Sequence, residues 1–164
     1  MQTRILDASA LGGGRGGLDT FGGRAHIPAA MSKDVKTKKL RAQEQSDLDI
    51  EIAFLEGLIA REPDWVEVLK LLGDGYTRRG RIDEGLKVDE RLAGLCPDDP
   101  YVFYNLACSC SLAERFDQAL DALDRALKLG YDDIKWLSKD PDMANLRKHP
   151  LFKNFQNKLG SRAH

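Results

Sequence analysis

Apolar residues return at three- and four-residue steps from Leu48 almost to the C-terminus. Leu48, Ile52, Leu55, Leu58 and Ile59 make one helical face, and the spacing predicts a helix over about residues 47–61. Ser46 is placed to cap it, with Asp49 near the positive end of the helix dipole and Pro63 as its stop. Val66, Leu69, Leu72, Gly73 and Tyr76 line a second helix, which Gly80 breaks, and Ile82, Leu86, Leu92 and Leu95 line a third before Pro97. The logic then runs again. Pro100, Phe103, Leu106, Ala107 and Cys110 precede a turn at Glu114 and Arg115, and Phe116, Ala119, Leu120, Leu123, Ala126, Leu127 and Leu129 follow.

A fixed offset relates the two passes. Pro63 and Pro97 are 34 residues apart, as are Leu72 and Leu106, Gly85 and Ala119, and Leu86 and Leu120. Matches at one offset in two helices and a terminator are the mark of a repeat architecture.

A 34-residue helix-turn-helix unit with Leu69, Leu72, Gly73, Tyr76, Gly80, Gly85 and Pro97 in these places resembles the tetratricopeptide repeat (TPR). The second unit keeps Phe103, Leu106, Ala107, Ala119, Leu123 and Ala126 in register, but has Cys110 in the tyrosine slot and Tyr131 in the proline slot. The fold the resemblance implies is all-α, a right-handed helical-hairpin solenoid. Its expected parts are a half repeat at 46–65, full repeats at 66–99 and 100–133, and a C-terminal cap at 134–160, where Trp136, Leu137, Met143, Leu146, Leu151, Phe152 and Phe155 are punctuated by Pro141 and Pro150. The likeness covers about 113 residues, Asp47 to Leu159, and the tail LSKDPDMANLRKHPLFKNF is similar to one that follows the last repeat in many bacterial members. Small residues at 73, 85, 107 and 119 are explained by close helix approach. Asp89 stands where the family buries an aromatic or aliphatic group, so it is expected to reach solvent or to pair with an arginine such as Arg91 or Arg115.

Upstream the pattern stops. Seven of the 15 glycines lie between Gly12 and Gly23, and Lys33, Lys36, Lys38, Lys39 and Arg41 form a basic run. Residues 1–45 are expected to be a disordered arm, Gly-rich and then basic, the run itself being able to begin a frayed helix, because this segment has little to bury against the entropy of ordering it. Met31 opens an ordinary beginning, so residues 1–30 are read with equal weight as native or as a product of an upstream start. Residues 1–46 carry eight Lys/Arg against four Asp/Glu and the remainder 17 against 22, which makes the arm basic and the body mildly acidic within a net charge of -1.

No segment approaches the roughly 18 apolar residues that span a bilayer, and three cysteines are an odd number for a disulfide framework. A cytoplasmic, reducing location without membrane contact is expected.

Residues arranged for chemistry are few. Gly12 to Gly17 formally match G-x-G-x-x-G without the strand and helix that would aim it at a phosphate. Arg15 and Arg24 lack the stacking aromatics of a single-strand nucleic-acid binder, so the arm is the weakest of the functional readings. Cys108 and Cys110 point about 200° apart on a helix, and His26, His149 and His164 form no ligand pair, so no metal or cofactor is expected. Asp98-Asp99 and Asp132-Asp133 sit at turns, where they can cap the next helix. An enzyme is therefore not expected.

What remains is binding. The TPR resemblance implies a concave face lined at fixed places of each first helix, here Glu67, Lys70, Leu71, Asp74, Thr77 and Arg78, then Tyr101, Tyr104, Asn105, Cys108, Ser111 and Leu112. Such a surface suits a peptide or helix of a protein partner. Asn105 with Lys70 or Arg78 resembles the carboxylate clamp of some relatives, although Glu67 and Asp74 would repel the anion. The expected function is a non-catalytic protein-protein interaction module or adaptor. The alternative is a structural subunit, or homo-oligomer, whose edges complete a larger stack, motivated by the missing first helix before Asp47.

Overall fold

Residues 36–61 are mostly Lys, Arg, Leu, Ile, Ala, Gln and Glu, strong helix formers in the main. In the computed structural model, which describes residues 35–162 and the side chains of 41–157, they form one helix, α1 (Val35–Arg61). Ser46 is therefore an exposed residue inside the helix rather than its cap, and part of the expected arm, from Val35 to residue 45, is helical. The physical reason is cooperativity: once the apolar face of residues 48–59 is docked, adding good helix formers upstream costs far less than nucleating a new helix. The Gly-rich stretch lies outside the described residues.

Two helical hairpins follow, α2 (Val66–Arg79) with α3 (Ile82–Leu95), and α4 (Pro100–Leu112) with α5 (Phe116–Lys128). Three short segments follow, α6 (Ile134–Leu137), a 3-10 turn at Pro141–Met143 and α7 (Ala144–Lys148), and then α8 (Pro150–Arg162), which is as long as α4 or α5. Each consecutive pair from α1 to α5 is packed together, and there are no strands among the described residues. None of the described helices is long and apolar enough to cross a membrane. This is a TPR-like helical-repeat solenoid with two full repeats, a half repeat before them and a short-helix cap.

The turns show how the repeat is held in register. Gly80 ends α2 in the left-handed conformation (φ 84°), and the Arg81 amide donates to the Tyr76 carbonyl at 2.8 Å. At the same place of the next repeat Glu114 takes φ 59°, and the Arg115 amide donates to the Cys110 carbonyl at 2.8 Å. A non-glycine residue there costs about 1–2 kcal/mol, which the closed hydrogen-bond pattern and the docked helices offset. Asp99 caps α4 by accepting from the Tyr101 and Val102 amides at 2.9 and 3.3 Å, and Asp133 caps α6 through the Trp136 amide at 2.8 Å.

The apolar core falls into two clusters. Leu48, Ile52, Leu55, Val68, Leu69, Leu72 and Leu92 join α1, α2 and α3. Tyr104, Ala107, Ala119, Leu123, Ala126, Met143, Leu146 and Phe152 join α4, α5 and the tail. Asp89 departs from expectation. It is 2% exposed, and Arg91 pairs instead with Asp64 while Arg115 lies near Glu90. The Ser109 hydroxyl donates to its Oδ2 at 2.5 Å across the α3–α4 contact. A neutral donor on the facing helix supplies the hydrogen bond for which an arginine was expected, so the carboxylate is buried but partnered.

Gly85 shows why small residues recur. A Cβ built on it would lie 2.9 Å from the Thr77 Oγ1, which itself donates to the Gly73 carbonyl at 2.9 Å. Alanine would favour the helix by roughly 1 kcal/mol, but it must push a stiff, hydrogen-bonded threonine. Gly85→Ala is expected to lower stability by about 1 kcal/mol in urea denaturation. In a Thr77→Ala background the same change should become stabilising; a stabilised Gly85→Ala single variant would refute the close-approach account.

Candidate functional site

The residues expected to line a concave face divide cleanly. On α2, Glu67 is exposed, Lys70, Asp74 and Arg78 are half-buried, and Thr77 is buried against Gly73. Leu71, between them in sequence, is 44% exposed. The charges are internally balanced: Lys70 Nζ lies 3.2 Å from Asp99 Oδ2, and Arg78 lies 3.6 Å from Asp74 one turn away. Both cations that could have formed a carboxylate clamp thus have carboxylates beside them already.

On α4 the face is covered. Tyr101 and Leu112 stay half-buried, while Tyr104, Asn105, Cys108 and Ser111 are all buried. The tail reaches Tyr104, Cys108 and Ser111. Tyr104 donates its hydroxyl to Asp140 Oδ2 at 2.8 Å, the Cys108 thiol lies 3.7 Å from the same oxygen, and the Ser111 hydroxyl donates to the Asp142 carbonyl at 2.7 Å. Asp140 is itself the cap of the 3-10 turn, its Oδ1 accepting from the Asp142 amide at 3.0 Å. Arg147 ties the segment from behind, donating to the Leu137 and Asp140 carbonyls at 3.1 and 2.6 Å. Tyr104, Cys108 and Ser111 are not accessible to a partner while the tail is seated.

Tyr131, in the proline slot of the second repeat, serves the same closure. Its ring stacks on Tyr104 with centroids 4.2 Å apart and meets Tyr101 edge-on at 5.8 Å. Burial holds the Tyr104 and Tyr131 phenols above their ordinary range, and the neighbouring Cys108 and Asp140 add to the effect at Tyr104. Tyr104 therefore remains a donor to Asp140 at any physiological pH.

Cys108, Asp140 and Asp142 bring potential metal-ligating atoms within 4.8 Å of one another, the one such group among the described residues. Asp140 already accepts from a phenol and a backbone amide, with the Cys108 thiol nearby, which explains the cluster as a hydrogen-bonded lock. The second cysteine of the pair faces the other way. Cys110 lies on the α3–α5 side, where burial pushes its thiol up to about 11, so it is a neutral, unreactive group.

Asp140 and Asp142 do not stand out in the sequence. The signal available is an aspartate directly before Pro141, the arrangement of an N-cap followed by proline. Nothing in the local pattern says that the same carboxylate also reaches back 36 residues to Tyr104.

The chain matches no protein-family model. It is 35% identical over 102 residues to a chloroplastic protein of Arabidopsis thaliana, an alignment that takes in 58% of this chain and 29% of that protein. It thus spans less than a third of the curated relative's length. The solved structure of MamA MSR-1 C2 superposes with a TM-score of 0.52 at 22% identity, covering 74% of this chain and 72% of that one. That likeness shows the fold.

The lock has a measurable weight. Asp140→Ala leaves the buried Tyr104 hydroxyl without its acceptor, at a cost of about 2–4 kcal/mol. Limited proteolysis of that variant is expected to cut within residues 134–148 at least tenfold faster than in the parent. Equal cleavage rates would show that Asp140 does not hold the tail down.

Proposed function

We propose that this chain is a non-catalytic interaction module that holds a polypeptide partner, with the α2 face as its contact surface. The observation that carries the reading is Leu71, a large apolar side chain 44% exposed on a helix that also presents Glu67, Lys70, Asp74 and Arg78. An exposed apolar anchor among both charge signs is the composition of a peptide- or helix-binding surface. The TPR-like fold supports it, since stacked hairpins leave one face of each first helix free of the next unit. Tyr101 is the aromatic α4 candidate left partly accessible, and Tyr104, Cys108 and Ser111 join the surface only if the tail lifts. The three free thiols suit a reducing compartment such as the cytoplasm.

Leu71→Asp combined with Arg78→Glu is expected to reduce capture of the native partner at least tenfold in an affinity pull-down, with helicity and melting temperature unchanged. Undiminished capture by a folded double variant would exclude α2 as the contact surface.

A second reading has its own support. Ile50 and Phe54, one turn apart on α1, are 67% and 66% exposed, and among the described residues no helix pairs with α1 on that side. A self-associating edge would place this stripe against another copy. Light scattering across a hundredfold concentration range separates the two: a dimer abolished by Phe54→Asp supports the oligomerising subunit, and a concentration-independent monomer discards it.

A further inference from the structure

The two repeats differ in one place that leaves an opening of defined shape. In the first, Tyr76 lies between α1 and α3, donating its hydroxyl to Glu56 Oε1 at 2.7 Å with the Arg81 guanidinium 4.4 Å above its ring. Burial first, and then the Glu56 hydrogen bond, push this phenol up to about 12, so it stays a donor.

Thirty-four residues on, much of the frame recurs, although Gln118 stands for Glu84 and Asp121 for Lys87. Glu90 stands for Glu56, Arg115 for Arg81, Leu106 for Leu72 and Arg125 for Arg91. The ion pairs recur with them, Arg81–Glu56 at 3.2 Å matched by Arg115–Glu90 at 3.8 Å, and Arg91–Asp64 at 2.8 Å by Arg125–Asp98 at 3.8 Å. The ring does not recur. Cys110 occupies the tyrosine's place and Ala122 replaces Val88, while Phe103 replaces Leu69 and supplies an aromatic wall.

Where the first repeat is filled, the second holds a groove of about 340 Å³ lined by Glu90, Phe103, Leu106, Cys110, Ala122 and Arg125 among others. Its floor is apolar, its thiol neutral, and the Arg125 guanidinium lies 5.6 Å from the Phe103 ring centroid at one side. Glu90 is exposed at the rim, loosely held by Arg115.

We propose that this α3–α4–α5 groove is a socket for a tyrosine side chain of a partner polypeptide, the ring resting on Phe103 and Leu106 above the buried Cys110 and the phenol donating to Glu90. The first repeat supplies the template, since the chain itself puts a tyrosine in the equivalent surroundings. Sulfur and aromatic groups make favourable contact with a ring, and the exposed carboxylate distinguishes tyrosine from phenylalanine, because only the phenol donates.

The socket rests on the interaction-module reading for the nature of its occupant, but uses a different face. Failure of capture at α2 leaves the socket standing, and failure of the socket leaves α2 standing. The full chain, labelled with 15N, is titrated with the blocked peptide Ala-Ala-Tyr-Ala-Ala, its phenylalanine counterpart, and p-cresol. Amide shifts confined to residues around Phe103, Leu106, Cys110 and Ala122, with the tyrosine peptide binding at least fivefold more tightly than the phenylalanine peptide, are expected. Glu90→Ala should erase that preference. Tighter binding of p-cresol than of the tyrosine peptide would overturn the polypeptide occupant, and unmoved resonances at millimolar peptide would overturn the socket. Cys110→Tyr should fill the groove from within, raising the melting temperature and abolishing the peptide shifts; a folded Cys110→Tyr protein that still binds the peptide there also refutes it.

Discussion

A stack of helical hairpins has an unfinished face at each end, and covering the last one governs much of what this molecule can do. The α4 surface carries Tyr104, Asn105, Cys108 and Ser111, polar groups that a further repeat or a ligand could otherwise meet. The chain covers it with its own tail, and does so by seating a carboxylate under it. Asp140 is wholly buried, yet it has a phenol and a backbone amide as donors and a thiol beside it. A buried carboxylate is tolerable only with such company. Because the same residue also caps the 3-10 turn, local folding of the tail and its docking on α4 are one event.

The closure redistributes the accessible surface. Of the two first helices, α2 keeps an accessible face with Leu71 44% exposed, whereas on α4 Tyr104, Asn105, Cys108 and Ser111 are covered and Tyr101 stays half-buried. The other side of the array gains by contrast, because Cys110 leaves open between α3 and α5 what Tyr76 fills between α1 and α3. The two repeats are thus alike in frame and different in occupancy. Ion pairs recur at the same offsets between successive hairpins, although such exposed pairs each contribute little to stability.

Close packing and polar burial are solved by different means in each repeat. Gly75 of the first lies against Ile52, whereas its counterpart Ser109 donates to Asp89. Leu55 and Asp89 occupy equivalent places, one satisfied by apolar neighbours and the other by a hydroxyl. The exchange is paired: a carboxylate at 89 is tolerated because a serine rather than a glycine faces it.

The helices, the two hairpins and the helix caps at Asp99 and Asp133 were legible in the sequence because each depends on residues within a few turns of one another, and the 34-residue period because it is a property of residue order itself. The start of α1 was not, since propensity and cooperative extension override a single good capping residue such as Ser46. Partners across helices were equally hidden. Ser109 for Asp89, Asp140 for Tyr104, and the groove at Cys110 are set by which side chains the stacking brings within hydrogen-bonding or van der Waals reach. Residue order was enough to give a TPR-like array and the polarity of its faces. Which of those faces the chain keeps for itself emerges from the packed molecule, because burial is a property of the neighbours and not of the residue.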